Sequence, residues 1–201
     1  MDSQKIDSGK AFSYGWASVK KDLWYFVGLT LIFVIIGSLG SKNGGHSEWN
    51  VLSYFLSAWM TCGFVTLALN YQAGKKLPLS NVFTQFKHYW KVLGAAIIVG
   101  LLVVAGTAFL IIPGIYFALR FQFVVELILD KGLDIGEAMK ESTRLTNGRK
   151  MSLLGFNLMM VGVLLLGALC LGVGLLVAIP VAGLANVVVY RQLMHSATAK
   201  A

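Results

Sequence analysis

The sequence has 201 residues, of which 57% are hydrophobic and 13% are charged, whereas a soluble domain has roughly 25% charged residues. Its mean hydropathy of +0.72 excludes an ordinary soluble globular protein, because a surface facing water needs more polar residues than this chain supplies. The formal net charge of +8 could indicate a nucleic-acid-binding protein, but the placement of the basic residues, described below, argues for no nucleic acid and for a membrane.

Six apolar stretches meet or approach the length of about 20 residues that a helix needs to cross a bilayer. They are residues 24–40, 51–73, 92–112, 113–129, 151–171 and 174–194. Pro113 and Gly114 separate the third stretch from the fourth, and Gly172 and Gly174 separate the fifth from the sixth. Pro113 suits the first turn of a helix, whereas Pro180 lies inside the sixth stretch and can kink it. We therefore predict one all-α membrane domain over residues 1–201, a polytopic bundle of six transmembrane helices.

The lysines and arginines predict the orientation of this bundle. With the N-terminus inside, 15 of the 17 basic residues lie in residues 1–23, 74–91, 130–150 and the C-terminal end, counted from Arg191, while the outer loops hold only Lys42 and Arg120 is intramembrane. The positive-inside rule then predicts that both termini are cytoplasmic. Basic residues near a membrane surface also attract anionic headgroups. The candidate lipid headgroup contacts are Lys20, Lys21, Lys87, Lys91, Arg149 and Lys150.

Three inner segments have the periodicity of short amphipathic helices lying in the membrane interface. In residues 8–23 the apolar stripe is Phe12, Trp16, Val19 and Leu23. Residues 79–90 carry a similar stripe. Residues 134–147 carry a third stripe, with Asp134 and Glu137 as a capping pair and Asn147-Gly148 as a stop signal. An ordinary polar linker is the alternative interpretation for each segment.

An internal repeat would organise these elements. Gly28, Gly94 and Gly155 each follow the start of an odd-numbered span, 66 and 61 residues apart, and Trp24 and Trp90 each precede their glycine by four residues. We predict three tandem repeats over residues 8–73, 79–130 and 134–195, each an interfacial helix followed by an apolar hairpin. Chance similarity between apolar segments is the alternative.

The second half of the chain carries motifs of a known group. These are Ile112-Pro113-Gly114-Ile115-Tyr116, then Glu137-Ala138 with Ser142, then Asn147-Gly148-Arg149, and finally the hairpin from Leu171 to Arg191. The pattern resembles a broad group of prokaryotic six-helix membrane proteins that includes the membrane domain attached to some glycerophosphodiester phosphodiesterases. The segment from Lys76 to Phe86 is similar to the second interfacial helix of the same group, so the resemblance covers nearly the whole chain. It implies a location in the prokaryotic cytoplasmic (inner) membrane. It implies no phosphodiesterase activity, because the hydrolase domain is absent from this chain.

Two charged residues lie within the fourth span, where a charge usually faces a partner or water. For Arg120 the candidate partners are Asn157, Asn186, Asn70 and Gln72, whereas Glu126 is close enough to the inner end to contact interfacial basic residues. The candidate intramembrane polar site consists of Arg120, Glu126, Asn157 and Asn186. It either stabilises packing within the bundle or binds an anionic headgroup or substrate.

No catalytic, cofactor or metal signature is present in the sequence. The three histidines, His46, His88 and His195, share no ligand spacing, and Cys62 and Cys170 are expected to be core residues in separate spans. We therefore expect no enzyme, no cofactor and no metal, with membrane lipids and a membrane protein partner or second copy as partners. The first functional hypothesis is a scaffold, accessory subunit or envelope-homeostasis factor. The alternatives are a small transporter, channel or lipid-handling protein using a polar site near Arg120, and an intramembrane enzyme acting on lipid.

Overall fold

The structure is a computed structural model that describes residues 6–41, 47–75, 86–170 and 173–198. Within these ranges the chain forms helices and no strands, so the predicted all-α class is confirmed. The helices are α1 (Ser8–Lys21), α2 (Leu23–Ser41), α3 (Ser47–Gln72), α4 (Phe86–Phe109), α5 (Ile111–Arg120), α6 (Val124–Lys131), α7 (Ile135–Thr146), α8 (Lys150–Leu169) and α9 (Leu175–Thr198).

Four segments of the described chain are long and apolar enough to cross a membrane. They are His88–Phe109, Ile112–Lys131, Lys150–Leu169 and Leu175–Ala197. The first two predicted spans coincide with α2 and α3, of which α2 contributes the shorter apolar segment Leu23–Ile32. The helices expose large apolar side chains, such as Leu101 on α4 and Leu166 on α8, which suit a lipid solvent. The chain is therefore a helical membrane protein.

Tight hairpins join two pairs of these helices. Between α4 and α5, a Cβ atom placed on Gly106 would lie 3.1 Å from the Cα of Gly114. Between α8 and α9, a Cβ atom on Gly174 would lie 2.6 Å from the carbonyl oxygen of Gly167. Backbones approach this closely only where side chains are missing, which is why glycines flank both turns. Pro113 lies in the first turn of α5 and Pro180 inside α9, as expected.

Helix α1 packs on the rest of the bundle through a face of small residues. Its buried residues are Ala11, Gly15, Ser18 and Val19, and the small side chains let the backbone of α1 approach α9. Of the predicted apolar stripe, Val19 is buried, whereas Trp16 and Leu23 are 57% and 42% exposed. Exposed apolar side chains suit a helix that lies in the membrane interface, and that location stays a prediction.

The contact between α1 and α9 extends along most of α1. The backbone N–H of Asp7 donates to Oε1 of Gln192 at 3.2 Å, and Gly15 lies against Val181. The two helices therefore run side by side in opposite directions. Asp7 also caps α1, accepting the N–H of Lys10 at 2.9 Å, and this hydrogen bond is the largest cause that lowers the pKa of its carboxyl.

The other two predicted interfacial helices have different outcomes. Most of the second predicted interfacial helix, residues 76–85, lies outside the described residues. Its last residues, 86–90, form the first turns of α4. There the predicted helix is continuous with the span instead of ending before it. Helix α7 matches the third closely. Glu137 accepts the backbone N–H of Asp134 at 3.4 Å, completing the predicted capping box, and Gly148 adopts φ 74° after the helix.

We predict that Gly15→Ala weakens the packing of α1 on α9. A Cβ atom at this position would lie 2.7 Å from the carbonyl oxygen of Val181, and overpacking of this kind lowers the free energy of unfolding by about 1–3 kcal/mol. The measurement is thermal unfolding of the purified protein in detergent.

Gly28→Ala is the matched control, because Gly28 is also helical and a Cβ atom there would contact nothing within 4 Å. This variant should be at least as stable as the parent, since alanine has the higher helix propensity. Equal stability of the two variants would contradict the close approach of α1 to α9.

Candidate functional site: a polar groove beside a broken span

The span from Ile112 to Lys131 is broken in its middle. Helix α5 ends at Arg120, a turn follows at residues 121–123, and α6 begins at Val124. The N–H of Val124 donates to the carbonyl of Phe121 at 3.3 Å, instead of to Arg120 four residues back. The carbonyl oxygen of Arg120 is therefore released from the helical hydrogen-bond pattern.

Helix α7 supplies the hydrogen bonds that this carbonyl loses. The hydroxyls of Ser142 and Thr146 donate to the carbonyl oxygen of Arg120 at 2.8 and 3.4 Å, and both side chains are fully buried. In a bilayer a broken helix is tolerated only where other groups satisfy its backbone. The two hydroxyls, one turn apart on the buried face of α7, meet that requirement.

The Arg120 side chain also contacts α7. Its Nε donates to Oγ1 of Thr143 at 3.0 Å, and its guanidinium carbon lies 6.0 Å from the ring centre of Tyr116 and 5.7 Å from that of Phe121. The candidate partners Asn157, Asn186, Asn70 and Gln72 were wrong for this side chain. The amides lie within spans and are therefore the partners that the sequence indicates. The hydroxyl partner, Thr143, comes from α7, a helix predicted to lie in the interface.

Directly after the break, four polar side chains form a continuous chain of hydrogen bonds. Asn157 on α8 donates to Gln122 at 2.8 Å, Gln122 donates to Asn186 on α9 at 2.9 Å, and Asn186 donates to Oε1 of Glu126 on α6 at 2.8 Å. The amide orientations are mutually consistent, because Gln122 and Asn186 each accept through the amide oxygen from one neighbour and donate through the nitrogen to the next. Three predicted site residues are thus joined through Gln122, which the sequence reasoning missed.

Glu126 ends this chain and is only partly satisfied. The residue is 4% exposed. Its partner is Asn186 rather than an interfacial basic residue, and its Oε2 atom has no hydrogen-bond partner in the described structure. A buried carboxylate oxygen without a partner is energetically unfavourable. Oε2 of Glu126 is therefore an acceptor that no donor of the described residues satisfies.

The three amides form the polar part of an otherwise apolar groove. The groove lies between α5, α8 and α9, has a volume of about 460 Å³, and Gln122, Asn157 and Asn186 are three of its ten lining residues. The remainder are aliphatic side chains, methionine and glycine, such as Ile115, Leu154 and Met160. Small-molecule sites commonly have this composition, a mostly apolar wall with a few convergent polar groups.

An ion pair holds α6 beside α9 at the other end. Arg191 donates to both carboxylate oxygens of Asp130, at 2.8 and 3.2 Å, and the hydroxyl of Tyr190 donates to the same carboxylate at 2.8 Å. Asp130 and Arg191 are 17% and 33% exposed. The bidentate geometry fixes the direction of both groups, so α6 is anchored at both of its ends.

The predicted headgroup contacts have varied surroundings. Lys91 pairs with Asp134 at 2.5 Å, and the Lys150 ammonium lies 3.9 Å from the ring centre of Tyr116. Lys20 and Lys21 are exposed in the last turn of α1, and Arg149 is half-buried before α8. The side chain of Lys87 lies outside the described residues. Lys91 and Lys150 thus have protein partners that the sequence did not reveal.

The two cysteines, both predicted to be core residues, have different surroundings. Cys62 is buried as predicted, but Cys170 is free and exposed at the end of α8, so the prediction of a core residue is wrong there. Among the described residues no three His, Cys, Asp or Glu side chains are grouped so that they could hold a metal ion.

We predict that Asn186→Leu destabilises the bundle. The substitution removes two interhelical hydrogen bonds, so the Gln122 nitrogen loses its acceptor and Oε1 of Glu126 loses its donor. At about 0.6–2 kcal/mol for each bond the loss is about 1–4 kcal/mol. Thermal unfolding in detergent measures it. Asn147→Leu is the control, because Asn147 is exposed after α7; equal effects of both substitutions would contradict a structural role for the hydrogen-bond chain.

Comparison with known proteins identifies partial relatives. The chain is 32% identical over 146 residues to uncharacterised proteins of Mycobacterium bovis and of two strains of Mycobacterium tuberculosis. The match covers 70% of this chain and 43% of each relative, so the chain spans less than half the length of the curated relatives it matches. No family model matches the chain. No solved structure matches it either.

Proposed function

We propose that this protein binds a lipid-like molecule laterally from the bilayer, in the groove between α5, α8 and α9, and thus belongs to the lipid-handling class. The observation that carries the proposal is the row of three hydrogen-bonded amides within an apolar groove. A packing interface in lipid has no need for such a row beside open space. The groove therefore favours lipid binding over the scaffold or accessory role that is the first hypothesis from the sequence.

The chemistry of the groove defines the ligand class. None of the described residues that line the groove is charged, and Arg120 is directed to Thr143 on α7. Amides donate and accept hydrogen bonds, which suits an uncharged polar group such as a hydroxyl or an ester. The aliphatic walls suit an acyl or isoprenoid chain. An uncharged amphiphile of the diacylglycerol type has both features.

The proposed setting is a prokaryotic cytoplasmic membrane, with six spans, three tandem repeats and both termini in the cytoplasm. The distribution of basic residues supports this orientation. The hydrogen bond between Asp7 and Gln192 also supports it, because it holds the N-terminal and C-terminal segments together. The α5–α6 pair serves as the fourth span. Membership of the six-helix group that includes the phosphodiesterase membrane domains stays a prediction.

We predict that Ala118→Trp abolishes ligand occupancy of the groove. Ala118 lines the groove and is exposed, so the indole fills the space without disturbing the core. In nanodiscs containing a photoreactive diacylglycerol, the parent protein should be labelled on α5, α8 or α9, and the variant at least fivefold less. The measurement is crosslinked-peptide mass spectrometry.

Ala168→Trp is the matched control, because Ala168 is exposed on α8 but does not line the groove. Its labelling should equal that of the parent. Undiminished labelling of Ala118→Trp, or labels confined to helices outside the groove, would overturn the proposal.

We predict that Cys170 reports the orientation of α8. In intact cells a membrane-impermeant maleimide should label Cys170 from the outside, and Cys170→Ser should remove the label, because Cys62 is buried and serves as the internal control. Labelling of Cys170 only after the cells are opened would contradict the proposed orientation.

A further inference from the structure

A second pocket lies where α1 and α3 end. It has a volume of about 330 Å³ and is lined by Tyr14, Ala17, Ser18, Lys21, Tyr71, Gly74 and Lys75. Its residues come from two segments distant in sequence and none of them belongs to the polar groove.

The walls of the pocket carry positive charge and an available hydroxyl. Lys21 and Lys75 are exposed, and neither forms an ion pair within the described part of the chain. The Tyr14 hydroxyl likewise has no hydrogen-bond partner among the residues described. Lysine ammonium groups and a tyrosine hydroxyl together provide the donors that a phosphate oxygen accepts.

Two features fix the shape of this pocket. The hydroxyl of Tyr71 donates to Oδ2 of Asp22 at 2.7 Å, which holds the end of α3 beside the end of α1. Gly74 adopts φ 76°, a conformation that favours glycine, and turns the chain so that Lys75 lines the pocket. The Asp22 carboxylate accepts from Tyr71 and does not itself line the pocket.

We propose that this pocket binds a phosphate ester, namely the phosphate of an anionic lipid headgroup. Lys21 and Lys75 supply the charge and Tyr14 an additional donor. The volume exceeds that of a phosphate group alone, which leaves room for the headgroup alcohol. Both lysines belong to segments that the charge distribution assigns to the inner side, where the membrane surface carries anionic lipid. The proposal is independent of the ligand groove.

The test compares short-chain lipids with the protein in detergent. Dihexanoyl phosphatidylglycerol should bind more tightly than dihexanoyl phosphatidylcholine. Lys21→Gln and Lys75→Gln should each weaken phosphatidylglycerol binding about fivefold, and the double variant about 25-fold, since each basic residue near an anionic surface contributes about 1 kcal/mol. Tyr14→Phe should weaken binding less, because it removes one uncharged donor.

Lys140→Gln is the matched control, because Lys140 is an exposed lysine on α7 outside the pocket; its affinity should equal that of the parent. Competition by inorganic phosphate that is lost in the double variant would identify a soluble phosphate as an additional ligand of the same site. Equal affinity for the two lipids, or unchanged phosphatidylglycerol binding by a double variant that retains the parent's unfolding temperature, would overturn the proposal.

Discussion

The requirement that every backbone group in lipid find a partner is the constraint on which this structure depends, and at Arg120 it is met from outside the span. The carbonyl released by the break accepts from Ser142 and Thr146. Without these hydroxyls the break would expose a peptide oxygen to hydrocarbon, which costs several kcal/mol. The position of α7 and the break in the span therefore stabilise each other.

Once the span is broken, α6 becomes an independent element of 8 residues that must be fixed by tertiary contacts. The Asp130–Arg191 ion pair fixes its C-terminal end, and the hydrogen bond from Asn186 to Glu126 fixes its first turn against α9. An isolated helix of this length is not stable in water, and here its buried residues, among them Leu127 and Ile128, are packed against neighbouring helices. The polar groups set where α6 lies, and the apolar residues stabilise it there.

Local signals predicted much of this fold because they act within a few residues. The hydrophobic stretches located the four segments that are long and apolar enough to cross a membrane, and the Asp134–Glu137 pair and Gly148 located both ends of α7. The break after Arg120 has no such signal, since no proline or glycine occurs between residues 120 and 124, and the hydroxyl that satisfies the released carbonyl comes from Ser142, 22 residues away along the chain. The buried face of α1 was missed for a similar reason. Gly15 is selected by its neighbour on α9, and periodicity detects large apolar residues better than small ones.

The polar residues of the candidate site were recognised because charges and amides are rare within spans, but the pattern could not say which of them meet. The structure shows that Gln122 joins Asn157 to Asn186 and Glu126, so these residues form one hydrogen-bonded network. A network that serves only to hold helices together is most favourable when every member is satisfied internally. Here the three amides line an open groove, whereas Glu126, at the end of the chain of hydrogen bonds, is buried and outside that lining. The unpartnered Oε2 of Glu126 is therefore not reached from the groove, and the groups available to an entering polar molecule are the amides of Gln122, Asn157 and Asn186.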